Sequence, residues 1–226
     1  MNYKHNYIPK IIVSTYYDKT KIPEKIYKNI RKYSPNYKYI IFDDNDILKF
    51  LKKYYNNDVL NTFYNLKGAH KADLFRYCYL YKFGGIYLDI KTELIRDIDS
   101  IFNKRNVDFY TVISGGLYPN TIYQGIIATI PNNPFFKNLI QYMINIKKPV
   151  RYYQIFTKDF YRNLEKEYNK IKPGFLYGKY NLYLFNEKCS YNAKDCYDGL
   201  DRYNKCCYVY DNNIKIIKVR YADFPW

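Results

Sequence analysis

The sequence predicts an α/β fold in which a mostly parallel, Rossmann-like sheet is flanked by helices. Short apolar runs rich in β-branched residues alternate with longer amphipathic stretches along the N-terminal half. The chain has 226 residues, of which 48% are hydrophobic, which is ample for a packed core. This length favours one domain, and no internal repeat or linker divides the chain. Residues 1–226 are therefore expected to form a single domain.

The N-terminal elements follow from apolar runs and from helix-start signals. The first helix is expected to begin at Pro23 and Glu24, because proline suits the first helical turn and an acidic side chain suits the positive end of the helix dipole. The turn at residues 34–36 separates it from the second strand. In chain order, residues 9–17 are predicted to form a buried strand followed by a polar, aromatic loop. Further strands are predicted at residues 37–42 and 86–89, and helices at residues 23–33, 46–55 and 70–83, with a short helical connection before the last.

The C-terminal half is predicted to be a helical and β-hairpin elaboration of this core. Asp211-Asn212-Asn213 has hairpin-turn chemistry. Strands are predicted at residues 107–112, 124–129, 206–210 and 214–220, and helices at residues 134–146 and 157–171. Residues 173–183 are rich in turn-forming and aromatic residues and are predicted to be irregular.

The net charge of +16 invites a nucleic-acid function, but the distribution of the basic residues argues against it. They are scattered, and no block of five like charges occurs. The chain is rich in Lys, Asn, Ile and Tyr, including 32 tyrosines. These residues have A/T-rich codons, so a biased genome, such as that of a giant virus or a low-GC microbe, explains the excess. We expect no nucleic-acid partner.

Residues 1–9 lack the apolar segment of a secretory signal, and no apolar run reaches the roughly 18 residues that a membrane span requires. A cytoplasmic protein without a membrane span is expected, in a cell, a host cell or a virion. The odd number of cysteines, five, then favours reduced thiols over disulfides or a zinc site. A local disulfide remains the alternative in an oxidising compartment.

Residues 70–93 contain the strongest functional signal. Asp73, Arg76 and Tyr77 are spaced three and four apart, so they share one face of the predicted helix. After the break at Gly84-Gly85, a short strand ends in Asp89, and the carboxyl ends of strands are where open α/β sheets bind ligands. A helix that directs Asp and Arg toward an Asp-tipped strand predicts a polar binding site. His70 is either a polar residue at the helix start or a ligand contact.

This helix–strand unit resembles the DXD-containing sugar-binding region of glycosyltransferase family 32. The resemblance is carried by residues 71–77, 80–81 and 84–89. Residues 8–16 resemble the opening segment of that family, and residues 37–44 a following one; residues 131–136 and Trp226 resemble later features more weakly. The resemblance implies a GT-A fold and retaining transfer of a hexose-type sugar from a UDP- or GDP-sugar to a glycan or a protein-linked acceptor. It also implies a Mn²⁺ or Mg²⁺ ion.

The resemblance assigns roles to individual residues. Asp73 and Arg76 match the pair that holds the hydroxyls of the donor sugar, and Asp89 matches the first Asp of the DXD motif. Contacts to the nucleotide are expected from Ser14, Thr15, Tyr16, Asp43, Tyr77, Tyr87 and Trp226. Two of these carry open alternatives: Asp43 either contacts the nucleoside or caps the following helix, and Tyr16 either stacks on the base or is one more tyrosine.

The chain departs from the family pattern where the second Asp of DXD is expected, because Lys91 stands there. Three interpretations stay open. A metal ion binds through Asp89 with help from Glu93 or Asp223; Lys91 supplies positive charge to the diphosphate in place of part of the metal's role; or the protein binds sugar nucleotides without catalysis. In a strand that continues past Asp89, Lys91 and Glu93 would share its face.

The resemblance also divides the predicted domain into two functional parts. Residues 1–100 are expected to form the nucleotide-sugar-binding core, and residues 101–226 the acceptor-side and closing elements. A sugar presents only hydroxyls, which a carboxylate and a guanidinium bind through directional, charge-assisted hydrogen bonds. A glycosyltransferase is therefore the predicted function, and a catalytically weakened or inactive sugar-nucleotide-binding relative is the alternative.

Overall fold

A mixed ten-stranded sheet runs through the computed structural model, which describes residues 7–115, 119–146, 152–196 and 204–220. The strands are β1 (Ile11–Thr15), β2 (Lys38–Phe42), β3 (Gly85–Leu88), β4 (Thr92–Leu94), β5 (Phe109–Ile113), β6 (Ile122–Thr129), β7 (Gly174–Leu176), β8 (Leu182–Ser190), β9 (Cys206–Asp211) and β10 (Ile214–Val219). The helices are α1 (Glu24–Tyr33), α2 (Asp44–Tyr54), α3 (Asn57–Asn65), α4 (Ala69–Phe83), α5 (Ile98–Ile101), α6 (Pro134–Asn145) and α7 (Ile155–Tyr168).

The strand order is β2-β1-β3-β6-β5-β8-β9-β10-β4, and β7 pairs with β8 outside this path. The α/β class is confirmed. The pairs β1–β2, β1–β3 and β5–β8 are parallel, whereas the other pairs among these strands are antiparallel. Helical crossovers join the parallel strands, and the tight β9–β10 hairpin can join only antiparallel strands. The parallel part of the sheet is thus mainly its N-terminal part.

The sheet curls back on itself at residues 89–91. These three residues join β3 to β4, yet β4 pairs with β10 at the far end of the strand order. Four residue steps span at most about 14 Å. The far edge of the sheet, β4, must therefore return to the neighbourhood of β3, and the turn after β3 connects the two.

Helix α4 is the central helix on one face of the sheet. Nine of its fifteen residues are buried, and its side chains join a core cluster that also contains side chains of α2, α3, α6 and α7. The opposite face carries a second cluster, with side chains of α1, α5, β9 and β10. The buried set on α4 includes His70, Asp73 and Arg76, and buried charges require partners. Of the helices in the described ranges, none has the length and apolar character needed to cross a membrane.

Most predicted elements occur within a few residues of their predicted bounds. Helix α2 begins at Asp44, earlier than predicted, because Asp43 and Asp46 form a reciprocal capping box. The main errors are β7 and β8: residues 173–183, predicted to be irregular, contain β7 and the start of β8, and the sequence predicts no strand at residues 184–190. Most of β8 is buried between β5 and β9, so its strand character depends on neighbours distant in sequence.

The expectation of reduced thiols is wrong for four of the five cysteines. Disulfides join Cys189 to Cys207 and Cys196 to Cys206, while Cys78 is a buried free thiol. Cys189 and Cys207 are register partners on β8 and β9. Adjacent Cys206 and Cys207 therefore bind different partners. The sequence could not predict this pairing, because it follows from the β8–β9 register.

The disulfides predict the number of reactive thiols. Protein purified without reductant should bind no alkylating reagent while folded and one equivalent per chain in denaturant, because burial raises the pKa of the Cys78 thiol and shields it. After reduction, five equivalents should bind. Mass spectrometry of the alkylated chain measures the count. Five equivalents in denaturant without prior reduction would contradict both disulfides.

Candidate functional site

The candidate site lies where the parallel strands β1, β2 and β3 end. Val13 on β1 pairs with Ile40 on β2 and with Tyr87 on β3, so the carboxyl ends of the three strands share one edge of the sheet. Thr15 ends β1, and Asp89 directly follows β3. The Asp89 side chain is 35% exposed. It therefore presents a carboxylate to solvent at the edge where α/β sheets bind ligands.

Arg76 connects the helix α4 to this edge. Its Nη2 lies 3.3 Å from Asp73 Oδ1 and 3.4 Å from Asp89 Oδ1. Its Nη1 donates to the backbone carbonyl of Gln124 on β6, and its guanidinium lies 4.4 Å from the centroid of the Tyr87 ring. Only 5% of the Arg76 side chain is exposed. One buried cation thus joins α4, β3 and β6.

The electrostatic environment keeps Arg76 charged. Burial lowers the pKa of the guanidinium, but the neighbouring Tyr87, Asp89 and Asp73 raise it by more, so the net shift is upward. Burial also raises the pKa of the Tyr87 hydroxyl. Tyr87 therefore stays a neutral hydrogen-bond donor beside a permanent positive charge.

Hydrogen bonds fix the orientation of the Asp89 carboxylate. The Tyr87 hydroxyl donates to Asp89 Oδ1 over 3.1 Å and lies 2.9 Å from Thr15 Oγ1. The Asp89 carbonyl accepts from the backbone N–H of Thr92 at 2.8 Å and from its hydroxyl at 2.7 Å. Both the side chain and the backbone of Asp89 are therefore held in place before any ligand binds.

Gly125 on β6 allows this arrangement. Its carbonyl accepts from the Asp89 N–H over 2.7 Å. A Cβ at this position would lie 2.7 Å from Asp89 Oδ2 and 2.3 Å from the Tyr123 hydroxyl. Such a Cβ would displace a functional carboxylate. Gln124 and Gly125 were not identified from the sequence as site residues, although a lone glycine within a strand often indicates close approach.

Three residues expected to contact the nucleotide are buried instead. Ser14, Tyr77 and Tyr87 are each 1% exposed. The Ser14 hydroxyl donates to the Leu88 carbonyl over 2.6 Å, and the Tyr77 hydroxyl donates to the side chain of Gln124. The Tyr87 ring lies against Arg76. Their hydroxyls are hydrogen-bonded within the protein, and their contact with a nucleotide stays a prediction.

The structure shows the surroundings of Asp43 and Tyr16, for which the sequence left two alternatives each. Asp43 accepts a hydrogen bond from the Asp46 N–H over 2.9 Å and pairs with Lys19 at 3.3 Å, which is a helix-capping arrangement. The Tyr16 ring is half-buried and packs against the cluster of Ile22, Ile26 and Ile90. Tyr17, the next residue, is 64% exposed.

The strand does not continue past Asp89, because residues 90–91 form a turn between β3 and β4, so the condition for Lys91 and Glu93 to share its face is not met. Lys91 is half-buried in that turn, two residues from Asp89. Glu93 lies on β4, where its carboxylate accepts from Arg220 Nε at 3.3 Å and from Nη2 at 2.9 Å. A carboxylate engaged by a guanidinium is a poor metal ligand. Asp223 and Trp226, the remaining predicted contacts, lie outside the described residues.

The described side chains do not form a complete site for a resident Mn²⁺ or Mg²⁺ ion. Such ions take several oxygen ligands. Asp89 offers one carboxylate, and its Oδ1 already accepts a hydrogen bond from Tyr87 and forms an ion pair with Arg76. The described ranges contain only one cluster of three candidate metal ligands. It consists of Glu187, Cys189 and Cys207, and its two cysteines form a disulfide. Among the described residues, the donor set at Asp89 therefore does not complete a metal site, and the predicted ligand Asp223 lies outside them.

Comparison with known proteins relates part of the chain to a family of glycosyltransferases. Residues 22–108 match the family described as "Glycosyltransferase sugar-binding region containing DXD motif". Mannosyl phosphorylinositol ceramide synthase SUR1 of Saccharomyces cerevisiae is 32% identical over 59% of this chain and 34% of its own length. An uncharacterized glycosyltransferase, L373, of Acanthamoeba polyphaga mimivirus is 26% identical over 85% of this chain and 82% of its own length.

A third relative matches a shorter segment. The initiation-specific alpha-1,6-mannosyltransferase of Saccharomyces cerevisiae is 41% identical over 30% of this chain and 15% of its own length. Among solved structures, a "PaToxG Glycosyltransferase" aligns with a TM-score of 0.49 and 17% identity over 70% of this chain and 69% of that one. The chain spans about a third of the two ceramide-related yeast synthases it matches.

Residues 22–108 are therefore similar to the DXD-containing sugar-binding region of glycosyltransferases, the family 32 type. The matched region covers α1 to α4, β3 and the turn with Asp89 and Lys91. It therefore contains the Asp73, Arg76 and Asp89 cluster.

Replacing Arg76 with methionine should destabilise the fold by about 3 kcal/mol at neutral pH, because two neighbouring carboxylates lose their shared cation. Urea unfolding of both proteins at neutral pH measures the difference. Arg31→Met is the matched control: Arg31 and Glu24 form an exposed pair, 63% and 61% exposed, so its loss should cost less than about 1 kcal/mol. Equal effects of the two substitutions would contradict the role assigned to Arg76.

Proposed function

We propose that this chain is a retaining glycosyltransferase that moves a hexose, with mannose favoured, from a nucleoside-diphosphate sugar to an acceptor hydroxyl of a glycan or glycoconjugate. The observation that carries the proposal is the Asp73–Arg76–Asp89 cluster, prearranged at the carboxyl ends of three parallel strands. The choice of mannose is supported by the names of the relatives, several of which are mannosyltransferases.

The cluster suits a sugar donor for chemical reasons. Sugar hydroxyls both donate and accept hydrogen bonds, and Asp73 with Arg76 offers a carboxylate acceptor next to a guanidinium donor. Both groups are held in a buried setting, where charge-assisted hydrogen bonds are strong. Because Arg76 is fixed by Asp89, Gln124 and Tyr87, little rearrangement is needed when the sugar binds.

The reaction requires no strong base at its outset. A bond forms between the acceptor oxygen and the anomeric carbon, while the bond between that carbon and the β-phosphate oxygen breaks. The acceptor proton passes to the departing diphosphate, which leaves with the bonding electron pair. The main catalytic requirement is therefore stabilisation of negative charge on the leaving group. Retention of configuration is supported by the family resemblance.

We assign to Lys91 the stabilisation of this negative charge on the leaving group. It stands where the family has a second carboxylate, in the turn two residues from Asp89. A lysine there adds positive charge near the diphosphate. A carboxylate is negative, so it would need a bound cation before this position could attract the diphosphate. We further propose that residues 1–100 form the donor-binding core and that the remainder supplies acceptor-side and closing elements.

Asp89→Asn should lower donor turnover by at least about 100-fold, because the prearranged charge is lost while the shape of the side chain is kept. The purified chain would be incubated with a panel of UDP- and GDP-sugars, and the free nucleotide measured with and without acceptor glycans. Asp58→Asn, on the exposed first turn of α3, is the matched control and should leave turnover unchanged.

Unchanged turnover in Asp89→Asn would overturn the site assignment. Clear donor binding without nucleotide release from any donor would instead favour a sugar-nucleotide-binding protein without catalytic activity.

The assignment of Lys91 predicts weak dependence on metal. Turnover should fall less than about tenfold when EDTA replaces Mn²⁺, since Lys91 supplies part of the charge that a metal supplies elsewhere. Lys91→Asp restores the family's second carboxylate, and this variant should show low turnover in EDTA and recover activity with added Mn²⁺. Complete inactivation of the unmodified protein by EDTA, with full recovery on adding Mn²⁺, would contradict this role for Lys91.

A further inference from the structure

His70 lies beside Asp73 in the first turn of α4, and only 11% of its side chain is exposed. Its Nδ1 is 3.2 Å from Asp73 Oδ2. We infer that His70 is a positioning residue that fixes the orientation of the Asp73 carboxylate toward the donor sugar. This inference rests on the proposed function, because Asp73 is the carboxylate assigned there to the sugar hydroxyls.

The two oxygens of Asp73 have different partners. Oδ1 faces the Arg76 guanidinium at 3.3 Å, and Oδ2 faces the imidazole of His70. A carboxylate held at one oxygen rotates easily, because the terminal torsion of Asp has a broad, shallow preference. A second contact on the other oxygen stops this rotation. The remaining lone pairs then point in fixed directions, which is what recognition of a particular sugar hydroxyl requires.

The imidazole is itself held in place by α7. The Phe156 ring meets it edge-on, with centroids 4.9 Å apart and an interplanar angle of 85°, and Phe156 is only 2% exposed. The Tyr153 ring lies on another side with its centroid 5.9 Å away, and Tyr153 is 71% exposed. Packing against Phe156 fixes the plane of the imidazole and therefore the direction of Nδ1.

The chemistry of the contact determines which atom donates. A carboxylate oxygen accepts hydrogen bonds, so Nδ1 must carry a proton for this bond to form. His70 then acts on the sugar only through Asp73, and Asp73 acts together with Arg76 and Asp89. The chain of polar contacts thus runs from His70, through Asp73 and Arg76 on α4, to the partly exposed Asp89 at the strand ends.

The competing explanation is that His70 only fills space between α4 and α7. Two substitutions separate these explanations. His70→Leu keeps apolar bulk against Phe156 but removes the donor. His70→Asn loses bulk but places an amide N–H close to the position of Nδ1. A space-filling role predicts that leucine is tolerated better than asparagine; a positioning role predicts the reverse for sugar binding.

The test is calorimetric titration of the full chain with GDP-mannose and UDP-glucose, each compared with its own nucleoside diphosphate. We expect His70→Leu to weaken the binding of the preferred nucleotide sugar about tenfold and to leave the binding of the nucleoside diphosphate unchanged. His70→Asn should bind the nucleotide sugar within about threefold of the unmodified protein. In an Asp73→Asn background, His70→Leu should cause no further loss, because the two residues act as one unit.

Several results would overturn the inference. One is equal loss of sugar and nucleotide binding in His70→Leu; another is an unchanged affinity for the nucleotide sugar; a third is an additive effect on top of Asp73→Asn. If the unmodified protein binds neither nucleotide sugar, the proposed function fails and the inference fails with it. Normal binding by the unmodified protein together with unchanged binding by His70→Leu rejects the inference alone.

Discussion

The buried guanidinium of Arg76 is the interaction on which the site depends. Burying a charge is costly unless its hydrogen bonds and its counter-charges are supplied. Here they come from different parts of the chain: Asp73 on the same helix, Asp89 after β3, and the Gln124 carbonyl on β6. Helix and sheet therefore cannot shift relative to each other without exposing or unpairing this charge. The same constraint that stabilises the fold also fixes the geometry of the carboxylates.

The curl of the sheet determines what surrounds Asp89. Because β4 follows β3 after a short turn but pairs with β10, the C-terminal strands return to the edge of the site. The Arg220 N–H donates to the Lys91 carbonyl over 3.2 Å, and its guanidinium binds Glu93. The turn that carries Lys91 is thereby anchored by a residue more than a hundred positions later. The C-terminal region is part of the site's framework, although the family match stops before it.

The two disulfides lie in the same C-terminal region. They link β8 and the segment after it to the start of β9. Cross-links of this kind stabilise a fold largely by restricting its unfolded state. Disulfides persist in oxidising environments, whereas the cytoplasmic location expected from the sequence stays a prediction. They also leave only Cys78 as a thiol, buried in the core around α4.

The sequence by itself determined the α/β class, most of the secondary structure and the candidate cluster of Asp73, Arg76 and Asp89. These follow from local rules: helical spacing places side chains on one face, and a strand end places a carboxylate at the sheet edge. The tertiary structure decided which polar residues support the site and which reach its surface. Ser14, Tyr77 and Tyr87 are buried, Glu93 is paired with Arg220, and the Phe156 ring of α7 packs against His70. Burial and pairing depend on neighbours brought together by the fold, and no local pattern in the chain encodes them.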